Sequence, residues 1–252
     1  MTTPYLWNTY ETIPAGVGFP IFGACHLFWL AFAALVCAGA GLIYRRADAA
    51  RRRRIRLALA VFMLLTEIIK QSILIYIGGW LPSYLPLHLC SINIFLCLYH
   101  GLHPAPDTDS RSMRFVKEFL YAVCLPGAIL ALLFPGWTEL PFGNFLCMDS
   151  FVIHILLVLY PLLPLAVGEL RPSARRLPLV FLALLVAAPP IYFLDKATGA
   201  NFFFLNFPGS GNPLSLFETW WGNPGYIAGF PIIMAVLWTG MYLPWYRRQL
   251  RT

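Results

Sequence analysis

Residues 20–56 read PIFGACHLFWLAFAALVCAGAGLIYRRADAARRRRIR, an apolar run followed directly by a cluster of arginines. The apolar part, residues 20–44, is longer than the roughly 20 residues that a helix needs to cross a bilayer. It is too long for a cleavable signal peptide, lacks a basic leader and is followed by positive charge. We therefore expect residues 20–44 to form a true membrane span.

The composition of the whole chain agrees with a membrane protein. Of its 252 residues, 59% are hydrophobic and 12% are charged, and the mean hydropathy is +0.69. A soluble domain carries about a quarter charged residues. These values exclude a soluble enzyme, a nucleic-acid-binding domain and a disordered protein.

Seven apolar runs predict an all-α, polytopic membrane protein that forms one domain over residues 1–252. The runs cover residues 20–44, 56–78, 85–102, 115–135, 150–168, 177–195 and 225–246. Residues 196–224 form a loop that is rich in aromatic residues, contains Pro and Gly, and shows no clean helical period. We expect this loop to lie at the headgroup level of the outer leaflet, where aromatic rings are favoured.

The basic residues predict how the chain crosses the membrane. All but two of the 18 Lys and Arg fall in alternate loops or in the tail, on one side of a seven-span topology. They are Arg45, Arg46, Arg51, Arg52, Arg53, Arg54, Arg56, Arg111, Arg114, Lys117, Arg171, Arg175, Arg176, Arg247, Arg248 and Arg251. Because cytoplasmic loops are enriched in Lys and Arg, the N-terminus is predicted outside and the C-terminus in the cytoplasm. The net charge of +7 is then a topology signal and does not indicate a nucleic-acid partner.

Polar side chains inside the predicted spans are costly and usually mark function. Most lie toward the outer leaflet: His26, Glu67, Lys70, Gln71, His88, Cys90, Asn93 and His154, with Asp149 and Ser150 at the outer mouth. The inner halves of the spans contain almost nothing ionisable, so we expect side chains from four spans to converge on one layer. Glu67 and Lys70, three residues apart on one helical face, form an expected self-neutralising pair that Gln71 extends.

Cys90 differs from the other five cysteines, none of which is spaced as a metal-binding pair. A helix that begins near Pro86 places Cys90 in its first turns, where free N–H groups and the helix dipole stabilise a thiolate. Asn93 lies on the same face, whereas His88 lies about 200° around the helix. A base for Cys90 must then come from another span.

His154 and His26 are the candidate bases at a matching depth. A thiol, an imidazole and an orienting amide are the groups that acyl transfer through a thioester requires. We expect no soluble cofactor, since there is no GxGxxG, P-loop or GxSxG motif. Two alternatives stay open: a zinc-dependent lipid hydrolase or amidase that uses the three histidines with Glu67 or Asp149, and a lipid carrier in which the ionisable groups form a relay.

The stretch LPLHLCS, residues 85–91, resembles a signature of the YwaF-like integral membrane family, whose eukaryotic relatives include the transmembrane protein 164 acyltransferase. Further features are similar along the chain: His26-Leu27, Glu67, Pro126-Gly127, His154, and Gly199-Ala200-Asn201 with Leu205 and Pro208. The sequence departs from the family at Phe202, where a tyrosine is usual, and at Phe207, where a basic residue often precedes the proline.

The resemblance implies a phospholipid acyltransferase or transacylase in which Cys90 is the nucleophile and His154 the most plausible base. His88, His26, Asn93, Glu67 and Asn201 are then supporting residues, and no metal is needed. The expected partners are membrane phospholipids, as acyl donor and as lyso-lipid or other acceptor. More distant relatives are lipid hydrolases, so hydrolysis is a related outcome. The expected location is a bacterial cytoplasmic membrane, with the site facing the non-cytoplasmic side.

Overall fold

The computed structural model describes residues 4–103, 110–209 and 212–249, and these residues contain helices and no β-strand. The helices are α1 Ala24–Arg46, α2 Ala49–Tyr76, α3 Leu89–Leu102, α4 Arg111–Phe119, α5 Leu125–Leu133, α6 Phe145–Ala166, α7 Leu177–Thr198, α8 Leu214–Gly225 and α9 Gly229–Gln249. They form seven segments that are long and apolar enough to cross a membrane. The all-α, seven-span prediction is confirmed.

Four of the seven spans combine two or more helical pieces. A 3₁₀ turn, Pro82–Tyr84, precedes α3, and a second, Ala174–Arg176, precedes α7. A π-helical turn, Leu120–Cys124, joins α4 to α5. The last span, Leu214–Tyr246, contains α8, the 3₁₀ turn Tyr226–Ala228 and most of α9. Such breaks interrupt the helical period, which explains why hydropathy alone locates the spans better than their ends.

Capping side chains move two helix starts away from the predicted positions. α2 begins seven residues before the predicted span because Asp48 accepts a hydrogen bond from the backbone N–H of Arg51, at 2.7 Å. α6 begins at Phe145, because Asn144 accepts from the N–H groups of Leu146 (2.9 Å) and Cys147 (3.2 Å). Both caps satisfy N–H groups that have no partner inside their helix.

The prediction of an irregular aromatic loop over residues 196–224 is wrong in part. α7 continues to Thr198, and Gly199 ends it in a left-handed conformation, with φ of 73°. Residues 214–225 form α8, whose first turn is supported by Asn212, which accepts from the N–H of Leu214 at 3.0 Å. The Gly and Pro residues near the end of α8 hid this helix, because they kink it at Gly222.

The protein core surrounds α6. This helix packs against α1, α2, α3 and α5, and 61% of its most apolar stretch is buried, against 6% in the span that contains α7. Most of the α7 surface is therefore not covered by the rest of the described chain, whereas α6 is enclosed by protein. A side chain on α6 consequently faces other helices, which is the position that a buried functional group needs.

The ends of the spans near the arginine loops are less apolar than predicted. Arg56 is buried and donates hydrogen bonds to the Tyr44 hydroxyl and to Glu169, and Arg52 also pairs with Glu169, at 3.3 Å. These contacts correct the expectation that the inner halves are almost free of ionisable groups.

A second buried charge joins three parts of the chain at the same membrane face. Glu118, 1% exposed, accepts from the backbone N–H of Ser173, from Arg176 at 3.0 Å and from the Tyr242 hydroxyl. It thereby ties α4 to the segment before α7 and to α9. Of the predicted basic tail, Arg251 lies outside the described residues, and the side chains of Arg247 and Arg248 lie outside the described side chains.

Candidate active site

The end of α2 and the starts of α3 and α6 meet at the membrane face opposite the arginine loops. Lys70 lies near the end of α2, His88 and Cys90 lie at the start of α3, and Asp149 and His154 lie in the first three turns of α6. We call these residues, together with Glu67, the polar cluster. Three spans contribute to it, where the sequence predicts four.

Glu67 is the most heavily bonded member of the polar cluster. It is 5% exposed, and it accepts from Lys70 at 2.7 Å and from Gln71 at 2.8 Å. The hydroxyl of Ser91, the residue after Cys90, lies 3.5 Å from the same carboxylate. The self-neutralising pair predicted for Glu67 and Lys70 is confirmed, and so is its extension by Gln71. The carboxylate is therefore fully occupied within the protein.

Cys90 lies in the first turn of α3, as the proline before it predicts. His88 is the N-cap residue and makes no side-chain cap, so the first N–H groups of α3 are left without that partner. Cys90 is half-buried and is a free thiol. Within the described residues, no hydrogen bond joins its sulfur to a histidine ring.

His154 is held by two contacts that leave one ring nitrogen open. Its Nδ1–H donates to the carbonyl of Ser150, one turn earlier in α6, at 2.7 Å. Its face stacks on the indole of Trp137, with ring centroids 4.9 Å apart and ring planes 25° apart. Since Nδ1 carries the proton in the neutral ring, Nε2 has a free lone pair. No hydrogen bond to Nε2 occurs among the residues that the structure describes.

His26 is engaged at both ring nitrogens. It is fully buried, its Nδ1 accepts from the N–H of Phe22 at 2.8 Å, and its Nε2–H donates to the carbonyl of Leu132 at 2.7 Å. These bonds pin the start of α1 to the end of α5. Neither nitrogen of His26 is available to take a proton from Cys90, which leaves His154 as the one of the two candidate bases with an open nitrogen.

His88, a member of the polar cluster, contacts the turn that contains Asn201. The Nε2–H of His88 donates to the carbonyl of Ser83 at 3.1 Å, and its ring packs edge-on against Phe202, 4.8 Å away. Asn201 accepts from the N–H groups of Asn206 (3.0 Å) and of the residue after it (3.1 Å). Asn201 thus shapes the turn that presents Phe202 to His88, and its side-chain contacts lie within that turn.

Asn93 is an unusual buried amide. It lies about one turn after Cys90 on α3, it is 3% exposed, and its Oδ1 has no hydrogen-bond partner among the described residues. A buried polar atom without a partner is costly, by about 1–3 kcal/mol, and calls for an explanation. A polar ligand next to Cys90 would supply one.

The described residues contain no group of three or more His, Cys, Asp or Glu arranged to hold a metal ion. The zinc alternative needs three histidines together, and His26 is turned away from the polar cluster toward Leu132. The donor set that a zinc hydrolase requires is therefore not assembled here.

The TMEM164 family model matches residues 21–242, which include six of the seven spans in full, most of the last span and the whole polar cluster. The chain belongs to the TMEM164 family. No curated protein and no solved structure matches it. The family assignment agrees with the resemblance carried by LPLHLCS.

Two residues of this TMEM164-family site could be found only from the structure. Ser91 lies inside the LPLHLCS stretch and its hydroxyl lies 3.5 Å from the Glu67 carboxylate, but a serine beside a cysteine gives no signal of its own. From the sequence alone, Trp137 looks like an ordinary aromatic residue at the membrane interface. It is in fact 6% exposed and covers one face of His154.

Proposed function

We propose that this TMEM164-family protein is a membrane-embedded acyltransferase that moves acyl chains between phospholipids through a thioester on Cys90. The observation that carries the proposal is the state of His154. Its ring is fixed, its Nδ1 is bonded and its Nε2 is open, and it shares the polar cluster with a thiol at a helix N-terminus. A thiol and an imidazole with an open nitrogen are groups that nucleophilic acyl transfer uses.

The reaction proceeds in two steps that conserve atoms and protons. Cys90 gives its thiol proton to Nε2 of His154, directly or through one water molecule, and the sulfur attacks the ester carbonyl of a donor phospholipid. A carbon–sulfur bond forms, the ester carbon–oxygen bond breaks, and the departing alkoxide takes the proton from His154. An acceptor hydroxyl then attacks the thioester, with His154 removing its proton and returning it to the Cys90 sulfur.

The surroundings of Cys90 support a lipid as substrate. The N-terminus of α3 offers N–H groups and a positive dipole end to the developing thiolate and to the carbonyl oxygen. The unpartnered Oδ1 of Asn93 is an acceptor for a substrate hydroxyl. Exclusion of water by the bilayer favours transfer over hydrolysis. We further propose that the cluster faces the non-cytoplasmic leaflet, since it lies at the face opposite the arginine loops.

The test compares the lipids of membranes that contain wild type, Cys90→Ala or His154→Ala at matched expression. Cys37→Ala is the matched control, because Cys37 is also a half-buried free thiol but lies on α1. We expect a lipid species that depends on wild type, persists with Cys37→Ala, and disappears with both cluster variants. The purified protein should also carry an acyl group on Cys90 that hydroxylamine removes.

Full turnover by Cys90→Ala contradicts the thioester mechanism. Uptake of an unaltered lipid into proteoliposomes, with no acylated Cys90 at any time, would instead favour the carrier. Release of free fatty acid without an acylated acceptor would identify a hydrolase that uses the same two residues.

A further inference from the structure

Trp137 has two features that its place in a loop does not explain. Its ring stacks on His154, and its indole N–H is buried without a hydrogen-bond partner among the described residues. A buried indole N–H normally finds a partner. The same side chain therefore touches the proposed base and keeps a donor unused beside it.

The ring of Trp137 is held in place from its other side. Phe151 of α6 meets it edge-on, with centroids 5.1 Å apart and planes at 87°, and Phe151 in turn stacks on Trp29 of α1, at 4.9 Å and 7°. This aromatic column joins α1, the segment before α6, and α6. An indole fixed in this way cannot turn its N–H toward a distant acceptor, so the donor stays without a partner among the described residues.

We infer that the Trp137 N–H is a donor to the ester carbonyl oxygen of the lipid substrate, while the Trp137 ring positions His154. This inference rests on the proposed function and adds a group to it. The carbonyl oxygen gains negative charge as the Cys90 sulfur attacks, and a fixed donor beside the base stabilises that charge without reorganising. The acyl-ester oxygen would also satisfy the unused N–H.

The aromatic column provides a matched control for the N–H group. Trp29 is also buried, with 7% exposure, and its Nε1 also has no partner among the described residues. Trp29 stacks on Phe151 and makes no ring contact with His154. Trp137→Phe and Trp29→Phe remove the same chemical group from the same column, but only the first removes it beside His154.

The first measurement is acyl transfer by purified protein in proteoliposomes. Removal of one oxyanion donor lowers kcat by about 100-fold or more. We therefore expect the kcat of Trp137→Phe to fall by that factor, with little change in KM. Trp29→Phe should keep the wild-type kcat. Equal kcat values for Trp137→Phe and wild type overturn the inference, because phenylalanine keeps an aromatic ring but has no N–H to donate.

The second measurement does not depend on turnover. In Cys90→Ala protein with ¹⁵N-labelled indoles, the Trp137 N–H resonance is assigned by its absence from the Trp137→Phe spectrum. Addition of diester phosphatidylcholine should move this resonance downfield, whereas diether phosphatidylcholine, which lacks the ester carbonyl, should not. No shift, or equal shifts with both lipids, overturns the inference. If Cys90→Ala keeps its activity, the proposed mechanism fails, and this spectrum still decides whether the indole binds the ester.

Discussion

Arg56→Ala is expected to destabilise the protein far more than Arg54→Ala, although both remove one positive charge from the first turns of α2. Arg56 is 2% exposed and donates to the Tyr44 hydroxyl and the Glu169 carboxylate. Arg54, two residues away on α2, is exposed and makes no hydrogen bond or ion pair among the described residues. The two variants have the same effect on the topology signal, so a difference between them reports the buried contacts.

The size of the stability loss in Arg56→Ala depends on the contacts that Glu169 keeps after Arg56 is removed. Loss of one partner of a buried ion pair costs about 3–5 kcal/mol. Glu169 keeps Arg52, at 3.3 Å, and its side chain is 13% exposed, so the lower end of about 3 kcal/mol applies. For a chain of this size, that loss corresponds to a Tm lower by about 6–12 °C.

The assay is thermal unfolding of detergent-solubilised protein, followed by the loss of the monodisperse peak in size-exclusion chromatography. Arg54→Ala should unfold within about 2 °C of wild type, because exposed charges contribute little. If the two variants unfold at the same temperature, the Arg56 contacts do not stabilise the fold, and the reasoning from burial is wrong.

Three further predictions concern single substitutions. His26→Phe should lower the stability by about 2 kcal/mol while the folded fraction keeps its specific activity, because both ring nitrogens bond backbone groups; lost activity at unchanged stability would contradict this. Glu118→Gln should lower Tm, because its buried oxygens lose the negative charge that holds three donors, whereas exposed Glu139→Gln should not. Gly41→Ala should raise the stability by about 0.5–1 kcal/mol, since nothing lies within 4 Å of the added methyl group. Gly101→Ala should gain less or lose stability, because its methyl group meets the backbone of α2 at 3.3 Å; equal gains would contradict the close packing.

The spans could be predicted from the sequence because a bilayer imposes one length and one composition on every crossing segment. The helix ends could not, since they depend on single capping side chains. Asp48 extends α2 into the arginine loop, and Asn144 starts α6 early. α8 was hidden for a related reason: its last turn contains Gly and Pro, residues that usually end a helix.

The candidate site could be predicted only in its outline. Depth along the spans brings Cys90 and His154 to the same layer, and it brings His26 there as well. The separation of the two histidines depends on long-range contacts: the carbonyl that His26 bonds belongs to Leu132, 106 residues later in the chain. Depth cannot show which ring nitrogen is already bonded. The same holds for Trp137, whose burial depends on the packing of α1 against α6.

For the proposed acyltransferase, the polar cluster offers a way to place reactive groups in a bilayer with few unpaired charges. Its buried carboxylate, Glu67, is neutralised within one helical turn by Lys70. A soluble Ser or Cys enzyme commonly orients its histidine with a buried carboxylate, whereas His154 is oriented by the neutral carbonyl of Ser150 and by an indole face. A carboxylate in that position would add an uncompensated charge to a medium of low dielectric constant, where such a charge is expensive. A backbone carbonyl fixes the same tautomer without that cost. On this reasoning, the orientation of His154 depends on the intact helical turn that precedes it in α6. A Ser150→Pro substitution distorts that turn. It should therefore abolish the proposed acyl transfer, although no side chain of the polar cluster is changed.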